Sequence, residues 1–270
     1  MIHIKKIAIL VIAAQNQAVY RHYLRAYWSD MIKYTNEKKP NIDVFLLFEK
    51  GSDISLFSHL SENIIMDENI DFNGFFSSNG GHKVIPGILS KTIFAFELLK
   101  DKYDVFFRTN LSSMVHTQNL EKLVSTKEEI IYSGSGIWND ALRSDLIHRG
   151  KIGANKSIKK IGELDEYPGN TFISGSAYLL GNEEVSYLVK NKKKIRYDII
   201  DDVSIGLMMK KHEYLPNFTL KLLKSNRIDQ MVEMLGRENF CHVRLQHFPV
   251  DIAQELWQKI KSRPFWRNQK

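Results

Sequence analysis

The chain has 270 residues, 43% of them hydrophobic, which fits one large domain or two small ones. Its single cysteine, Cys241, excludes an internal disulfide and a zinc site built from several cysteines, so a reducing cytoplasm is the expected compartment. The net charge of +7 predicts attraction to polyanions without choosing between nucleic acid, an anionic membrane surface and a phosphate-bearing small molecule. The longest apolar run, residues 7–14, is too short to span a membrane, and we expect neither a signal peptide nor a membrane anchor.

The first half of the sequence alternates predicted strands with predicted helices. The run at residues 5–14 is continuously apolar, which is typical of a strand buried on both faces of a parallel sheet. The other predicted strands are 41–48, 63–66 and 103–109, and the predicted helices are 18–34 and 85–100. This order predicts an α/β fold with a Rossmann-like sheet, in which ligands bind beyond the carboxyl ends of the strands.

The second half is more mixed. Residues 129–132 and 171–180 are predicted as strands, and 183–190, 201–212 and 251–261 as helices. Since no repeat, low-complexity tract or Pro-rich linker interrupts the chain, we expect a single domain over 1–270. Its halves would be 1–133 and 134–270, with the loop at 134–167 belonging to the second.

Two adjacent carboxylates, Asp201 and Asp202, stand at the predicted start of a helix, and Asp202 follows Gly175 by 27 residues. A helix N-terminus stabilises negative charge, so a carboxylate held there can act as the general base for a hydroxyl nucleophile. The same residues fit a second interpretation, in which Asp201 only caps the helix and Asp202 is a favourable first-turn residue. The residues alone leave both interpretations open.

Seven segments in order carry a resemblance: 21–28, 43–48, 89–92, 103–113, 167–168, 172–180 and 201–206. They include YDVFFRTNLSS, a Tyr-Pro pair, FISGSAYLL and DDVSIG. Together they resemble the inverting glycosyltransferases of the β-1,3-galactosyltransferase and Fringe type, family 31, which have a GT-A fold. The resemblance covers residues 5–209 and implies a GT-A-like mixed sheet flanked by helices, with a nucleotide-sugar-binding half at 1–133 and an acceptor-side half at 134–270.

The resemblance also implies roles. Asp202 matches the family's base, and Asp201 would cap the helix or orient its neighbour. The enzyme would move a hexose from a nucleotide sugar, most plausibly a UDP-sugar, to a hydroxyl of a glycan or glycoconjugate. The implied donor-binding residues are Lys91, Arg108, Asn110 and Ser112, and the implied acceptor-binding residues are Ser174, Gly175, Ser176 and Tyr178.

The sequence departs from the family at Asn110-Leu111-Ser112, where family members carry aspartates that bind Mn²⁺. Amide and hydroxyl oxygens lack the negative charge that holds a hard cation tightly, so we expect Mn²⁺ or Mg²⁺ to bind weakly or not at all. Ser112 and His242 are the remaining candidate metal ligands, and His247 competes with His242. Either cationic side chains, with Lys91, Arg108 and His242 as candidates, neutralise the diphosphate, or the chain binds without catalysis.

Two other function classes therefore stay open. A catalytically silent GT-A-like binding protein would explain the missing aspartates. A nucleic-acid-binding protein would explain the charge, but aromatic residues are not interleaved with the lysines at 190–194, so we expect no nucleic-acid partner. Most basic residues at 143–160 and 190–196 are expected to form a solvated face.

Overall fold

The structure is a computed structural model that describes residues 4–13, 23–39, 41–52, 54–67, 76–77, 83–84, 86–134, 136–141, 170–197, 199–220, 227–235, 240–245 and 249–262. Its strands are β1 (Ile7–Ile12), β2 (Ile42–Glu49), β3 (Ile64–Asp67), β4 (Phe76–Ser77), β5 (Lys83–Val84), β6 (Val105–Asn110), β7 (Ser113–Val115), β8 (Tyr132–Gly134), β9 (Ile137–Ala141), β10 (Asn170–Ile173), β11 (Ala177–Gly181), β12 (Pro216–Thr219) and β13 (His242–Arg244).

The α-helices are α1 (Ser29–Lys38), α2 (Pro86–Leu99), α3 (Thr117–Ser125), α4 (Asn182–Lys190), α5 (Asp201–Lys211), α6 (Ile228–Leu235) and α7 (Val250–Ser262). A π-helical turn, Leu24–Trp28, leads into α1, and 3₁₀ helices cover Ser55–Asn63 and Lys192–Lys194. Among the described helices, none has the length and hydrophobicity needed to cross a bilayer.

A seven-stranded mixed sheet forms the centre, in the order β12-β8-β11-β6-β1-β2-β3. Strand β11 runs antiparallel to β6 and β8, and the other neighbouring pairs are parallel. Helices pack on both faces of this sheet, so the expected α/β fold with a Rossmann-type mixed sheet is confirmed. Because the sheet takes strands from both sides of residue 133, the two expected halves share one layer; the domain count itself stays a prediction.

Strand β1 shows why the fold forms. Ile7, Ile9 and Val11 belong to the hydrophobic cluster on one face of the sheet, and Ala8 and Leu10 belong to the cluster on the other. All five are 0% exposed, as a central parallel strand covered by helices on both faces requires. Its polar backbone groups pair with β2 and β6, which leaves a continuous apolar run as its only sequence signature.

The prediction of a single strand at 171–180 is wrong. The structure divides it into β10, which pairs with β9, and β11, which belongs to the central sheet. Between them, Ser174, Gly175 and Ser176 form a turn. The backbone of Gly175 forms hydrogen bonds with the side chains of Asn110 and Asp202 instead of with the backbone of a neighbouring strand. The predicted strand at 129–132 also starts later, at Tyr132. The first part of the predicted helix at 18–34, up to residue 22, and most of the loop at 134–167 lie outside the described residues.

Candidate active site

The candidate site lies at the carboxyl ends of the parallel strands β1, β2 and β6, where α/β sheets hold their ligands. Strand β11 begins here as well, because Ala177 pairs with Thr109 near the end of β6. The turn formed by Ser174, Gly175 and Ser176, called the 174–176 turn below, therefore lies beside the end of β6. Helix α5 packs against β10, and this contact brings the start of α5 to the same place.

Arg108 lies at the centre of the site and is 1% exposed. Its Nη2 is 2.6 Å from Asp201 Oδ2, and its Nη1 donates a hydrogen bond to the carbonyl of Gly175. Its guanidinium carbon lies 5.6 Å from the centroid of the Tyr178 ring, which is itself 1% exposed. Arg108, predicted as a donor-binding residue, is thus engaged by Asp201, and Tyr178, predicted to bind the acceptor, packs in the core beneath the site.

Asp201 and Asp202 are the first two residues of α5, and Ile200 occupies the N-cap position, so Asp201 is not the cap. Asp202 is 1% exposed, and both of its oxygens are engaged: Oδ2 accepts a hydrogen bond from the Gly175 amide at 3.1 Å, and Oδ1 accepts one from the Val203 amide at 2.9 Å. The helix N-terminus and these amides favour the charged carboxylate.

The 174–176 turn connects this acid pair to β6. The carbonyl of Gly175 also accepts a hydrogen bond from Asn110 Nδ2 at 3.1 Å, and Thr109 Oγ1 donates to the carbonyl of Ser176 at 3.0 Å. A Cβ on Gly175 would lie 3.3 Å from Arg108 Nη1 and 3.4 Å from Asp201 Oδ2. Ser174 and Gly175 are half-buried and Ser176 is buried, so the first two residues form the accessible part of the turn.

Lys91 lies in α2 and is 1% exposed. Its Nζ donates to the carbonyl of Ala13 at 2.5 Å and to Glu49 Oε1 at 2.7 Å. Burial lowers the pKa of Lys91, and the Glu49 carboxylate opposes this shift. The positive charge of Lys91 is therefore matched by a buried carboxylate at the end of β2.

The residues predicted as metal ligands do not fit a tightly held divalent cation. His242 is 0% exposed, and its Nε2 lies 3.4 Å from Thr109 Oγ1; burial and Arg244 lower its pKa to about 3, so its ring is neutral. Ser112 is buried, and Asn110 and Ser112 offer only neutral oxygens. The described residues contain no group of three or more His, Cys, Asp or Glu that could hold a metal. His247 and the basic stretch at 143–160 lie outside the described residues.

The structure thus brings Arg108, Asn110, Gly175, Asp201 and Asp202 into one network, with Tyr178 beneath it. His242 Nε2 lies beside Thr109 Oγ1, which donates to the carbonyl of Ser176 in the 174–176 turn.

Sequence reasoning missed Glu49 and Thr109. Glu49 could have been recognised from the sequence, because an acidic residue at the end of an apolar strand lies at the ligand-binding edge of a parallel sheet. Nothing in the sequence around Thr109 distinguishes it from other strand residues.

The chain resembles known proteins in its structure. No protein-family model matches the chain, and no curated protein matches its sequence. The inositol-1-phosphate CTP transferase from T. maritima is 12% identical with a TM-score of 0.48, over 97% of this chain and 98% of that one. The galactosyltransferase LgtC, solved with donor and acceptor sugar analogues, is 14% identical with a TM-score of 0.45, over 96% and 99%.

Glucosyl-3-phosphoglycerate synthase from Mycobacterium tuberculosis, solved with uridine diphosphate, is 12% identical with a TM-score of 0.43, over 95% of this chain and 80% of that one. At these identities and TM-scores the likeness concerns the fold alone and assigns neither activity nor substrate to the chain.

Proposed function

We propose that the chain is an inverting glycosyltransferase, which moves a hexose from a nucleotide sugar, with UDP-sugars as the first candidates, to a hydroxyl group of a glycan acceptor. The observation that carries this proposal is the acid pair at the start of α5, with Asp202 hydrogen-bonded to the 174–176 turn at the ligand-binding edge of the sheet. The collinear resemblance to family 31 supports it, and membership of that particular family stays a hypothesis.

In this proposal Asp202 is the general base. It takes the proton from the acceptor hydroxyl while the acceptor oxygen bonds to the anomeric carbon, and the nucleoside diphosphate leaves with the electron pair of the broken bond. A carboxylate can accept about four hydrogen bonds, which is more than the two that the amides of Gly175 and Val203 supply. The acceptor hydroxyl would reach Asp202 past Ser174 and Gly175, the half-buried residues of the turn.

The donor would lie along the ends of β1 and β6: Lys91 donates to the carbonyl of Ala13, just after β1, and Arg108 and Asn110 lie in β6. Lys91 and Arg108 are buried cations, and a low-dielectric surrounding strengthens the field that favours a departing diphosphate. Their carboxylate partners, Glu49 and Asp201, reduce this field. We therefore assign the larger part of catalysis to Asp202 and to the orientation of the two substrates.

The test is nucleotide release from a set of nucleoside diphosphate sugars with offered acceptors, in wild type and Asp202→Asn. Loss of the general base should lower kcat about a hundredfold to ten-thousandfold, while donor affinity by calorimetry changes little. Asp251→Asn is the matched control, since Asp251 is also in the first turn of a helix but is exposed in α7. Full activity of Asp202→Asn would remove Asp202 from this role.

A second candidate is a catalytically silent protein that binds nucleotide sugars. Two observations favour it: Asp202 is 1% exposed, and Asp201 is already paired with Arg108. Binding of a donor without release of nucleotide under any condition would establish this function instead.

A further inference from the structure

One peptide unit joins the two halves of the candidate site. The carbonyl of Gly175 accepts hydrogen bonds from Arg108 and Asn110, both in β6, and its amide donates to Asp202 in α5. The donors from β6 therefore fix the orientation of this peptide, and that orientation directs the amide at the carboxylate.

Arg108 supplies the positive charge for this arrangement. Its guanidinium serves two acceptors at once, Asp201 Oδ2 and the carbonyl of Gly175, and a planar fork is suited to this because its N–H groups point in fixed directions. Without Arg108, the described residues would leave two adjacent carboxylates, Asp201 and Asp202, without this buried counter-ion.

The same contacts engage several of the groups that could otherwise bind a divalent cation. Asn110 uses its amide group to donate to Gly175, Asp201 Oδ2 is paired, and His242 is buried behind Thr109. A metal ion beside the acid pair would also lie close to the guanidinium, and like charges at such distances repel strongly in a buried site. The site therefore differs from the metal motif of family 31 in two ways. Its candidate ligand atoms are neutral or already paired, and a positively charged guanidinium lies beside them.

We propose that Arg108, together with Asn110, replaces a metal ion as the organiser of this site, and that the site binds its donor without a divalent cation. The inference rests on the proposed function for its catalytic part only. Arg108 and Asn110 are then positioning residues, which act through Gly175 on Asp202.

The first experiment measures metal binding without turnover. Electron paramagnetic resonance of Mn²⁺ titrated with the wild-type protein should show the signal of free Mn²⁺, and the affinity for UDP by calorimetry should agree within about threefold in EDTA and in Mn²⁺. Stoichiometric binding of Mn²⁺, or an increase of ten-fold or more in UDP affinity, would overturn the proposal. This result stands even if the wild type releases no nucleotide, which would refute only the proposed function.

The second experiment tests positioning through the pH profile of kcat/KM. In Arg108→Met the acidic limb should move to higher pH, because Asp202 as the base loses a nearby positive charge. In Arg108→Lys the limb should stay in place while kcat falls at least tenfold, since a lysine keeps the charge and loses the fork. A purely structural role would lower stability and leave the limb of folded Arg108→Met unmoved, which would contradict the proposal.

Asn110→Asp keeps the size of the side chain and provides a test if Arg108→Met does not fold. A carboxylate would face the Gly175 carbonyl and cannot donate to it, so kcat should fall at least tenfold, without a gain in Mn²⁺ dependence. Wild-type kcat in Asn110→Asp, or activity that Mn²⁺ restores, would count against the assignment.

Discussion

At the scale of single residues, Gly206 decides where the acid pair lies. It is in α5 on the face towards β10, and a Cβ there would lie 2.4 Å from Phe172 Cβ and 2.9 Å from the carbonyl oxygen of Thr171. Only a glycine lets the helix approach the strand this closely. The approach places the start of α5, and with it Asp202, within hydrogen-bonding distance of the turn that follows β10.

We expect Gly206→Ala to destabilise the protein by about 1–3 kcal/mol, because the added methyl group must push α5 away from β10. This cost exceeds the helix propensity gained, which is at most about 1 kcal/mol. Ser204→Ala is the control on the same helix: Ser204 is buried and its Oγ has no hydrogen-bond partner among the described residues, so its loss should be nearly neutral. Urea denaturation measures both, and equal stability of Gly206→Ala and wild type would show that α5 shifts freely.

At the scale of elements, the first turn of α4 holds a buried acid. Glu184 is 3% exposed, and burial raises its pKa to about 7, with contributions from Glu183 and Glu129. The folded protein therefore keeps the proton on Glu184 to higher pH than the unfolded chain. Since the native state binds more protons between the ordinary pKa of 4.5 and about 7, the free energy of unfolding falls as the pH rises through this window.

Glu184→Gln should remove this decrease in the free energy of unfolding with rising pH. We expect the variant to gain stability relative to wild type between pH 5 and pH 8, by roughly 1–3 kcal/mol at about 1.4 kcal/mol for each pKa unit. Urea denaturation at several pH values measures it, with Glu37→Gln, an exposed position in α1, as the control that should leave the pH dependence unchanged. A pH dependence identical to wild type in Glu184→Gln would contradict the assignment.

At the scale of the whole molecule, the central sheet ties early and late strands together. Strand β6 pairs with β1 on one side and with β11 on the other, and β8 pairs with β12. The last helix, α7, returns to the first part of the chain, where Trp257 Nε1 donates to Asp30 Oδ2 at 2.7 Å. Trp28 Nε1 donates to the carbonyl of Leu111 at 2.9 Å, and both tryptophans are 0% exposed. Each of these contacts joins residues far apart in the sequence.

We therefore expect the chain to unfold in a single cooperative transition, as the prediction of one domain requires. Guanidinium denaturation followed by far-ultraviolet circular dichroism and by tryptophan fluorescence should give coincident curves. Trp28→Phe and Trp257→Phe each remove one of these buried fluorescence reporters. In both variants the circular dichroism and fluorescence curves should still coincide. Two resolved transitions would contradict the prediction of a single domain.

The sequence by itself determined the elements whose pattern is local. The apolar runs of β1 and β6 and the starts of α4 and α5 were predicted within about two residues, because burial on both faces and helical spacing leave a signature in the residues themselves. The acid pair at the start of α5 was found for the same reason. Helix α6 carried a signal that was missed, since Met231, Val232 and Leu235 are buried at helical spacing.

Only the tertiary structure decided how these elements meet. The ion pair between Arg108 and Asp201 joins residues 93 positions apart, and the division of 171–180 into β10 and β11 depends on side chains from β6 and α5. The short strands β7 and β13 pair with each other across the chain. A hydrogen bond or a charge finds its partner through space, and the identity of a partner distant in sequence leaves no trace in local hydrophobicity or propensity, so these features required the folded chain.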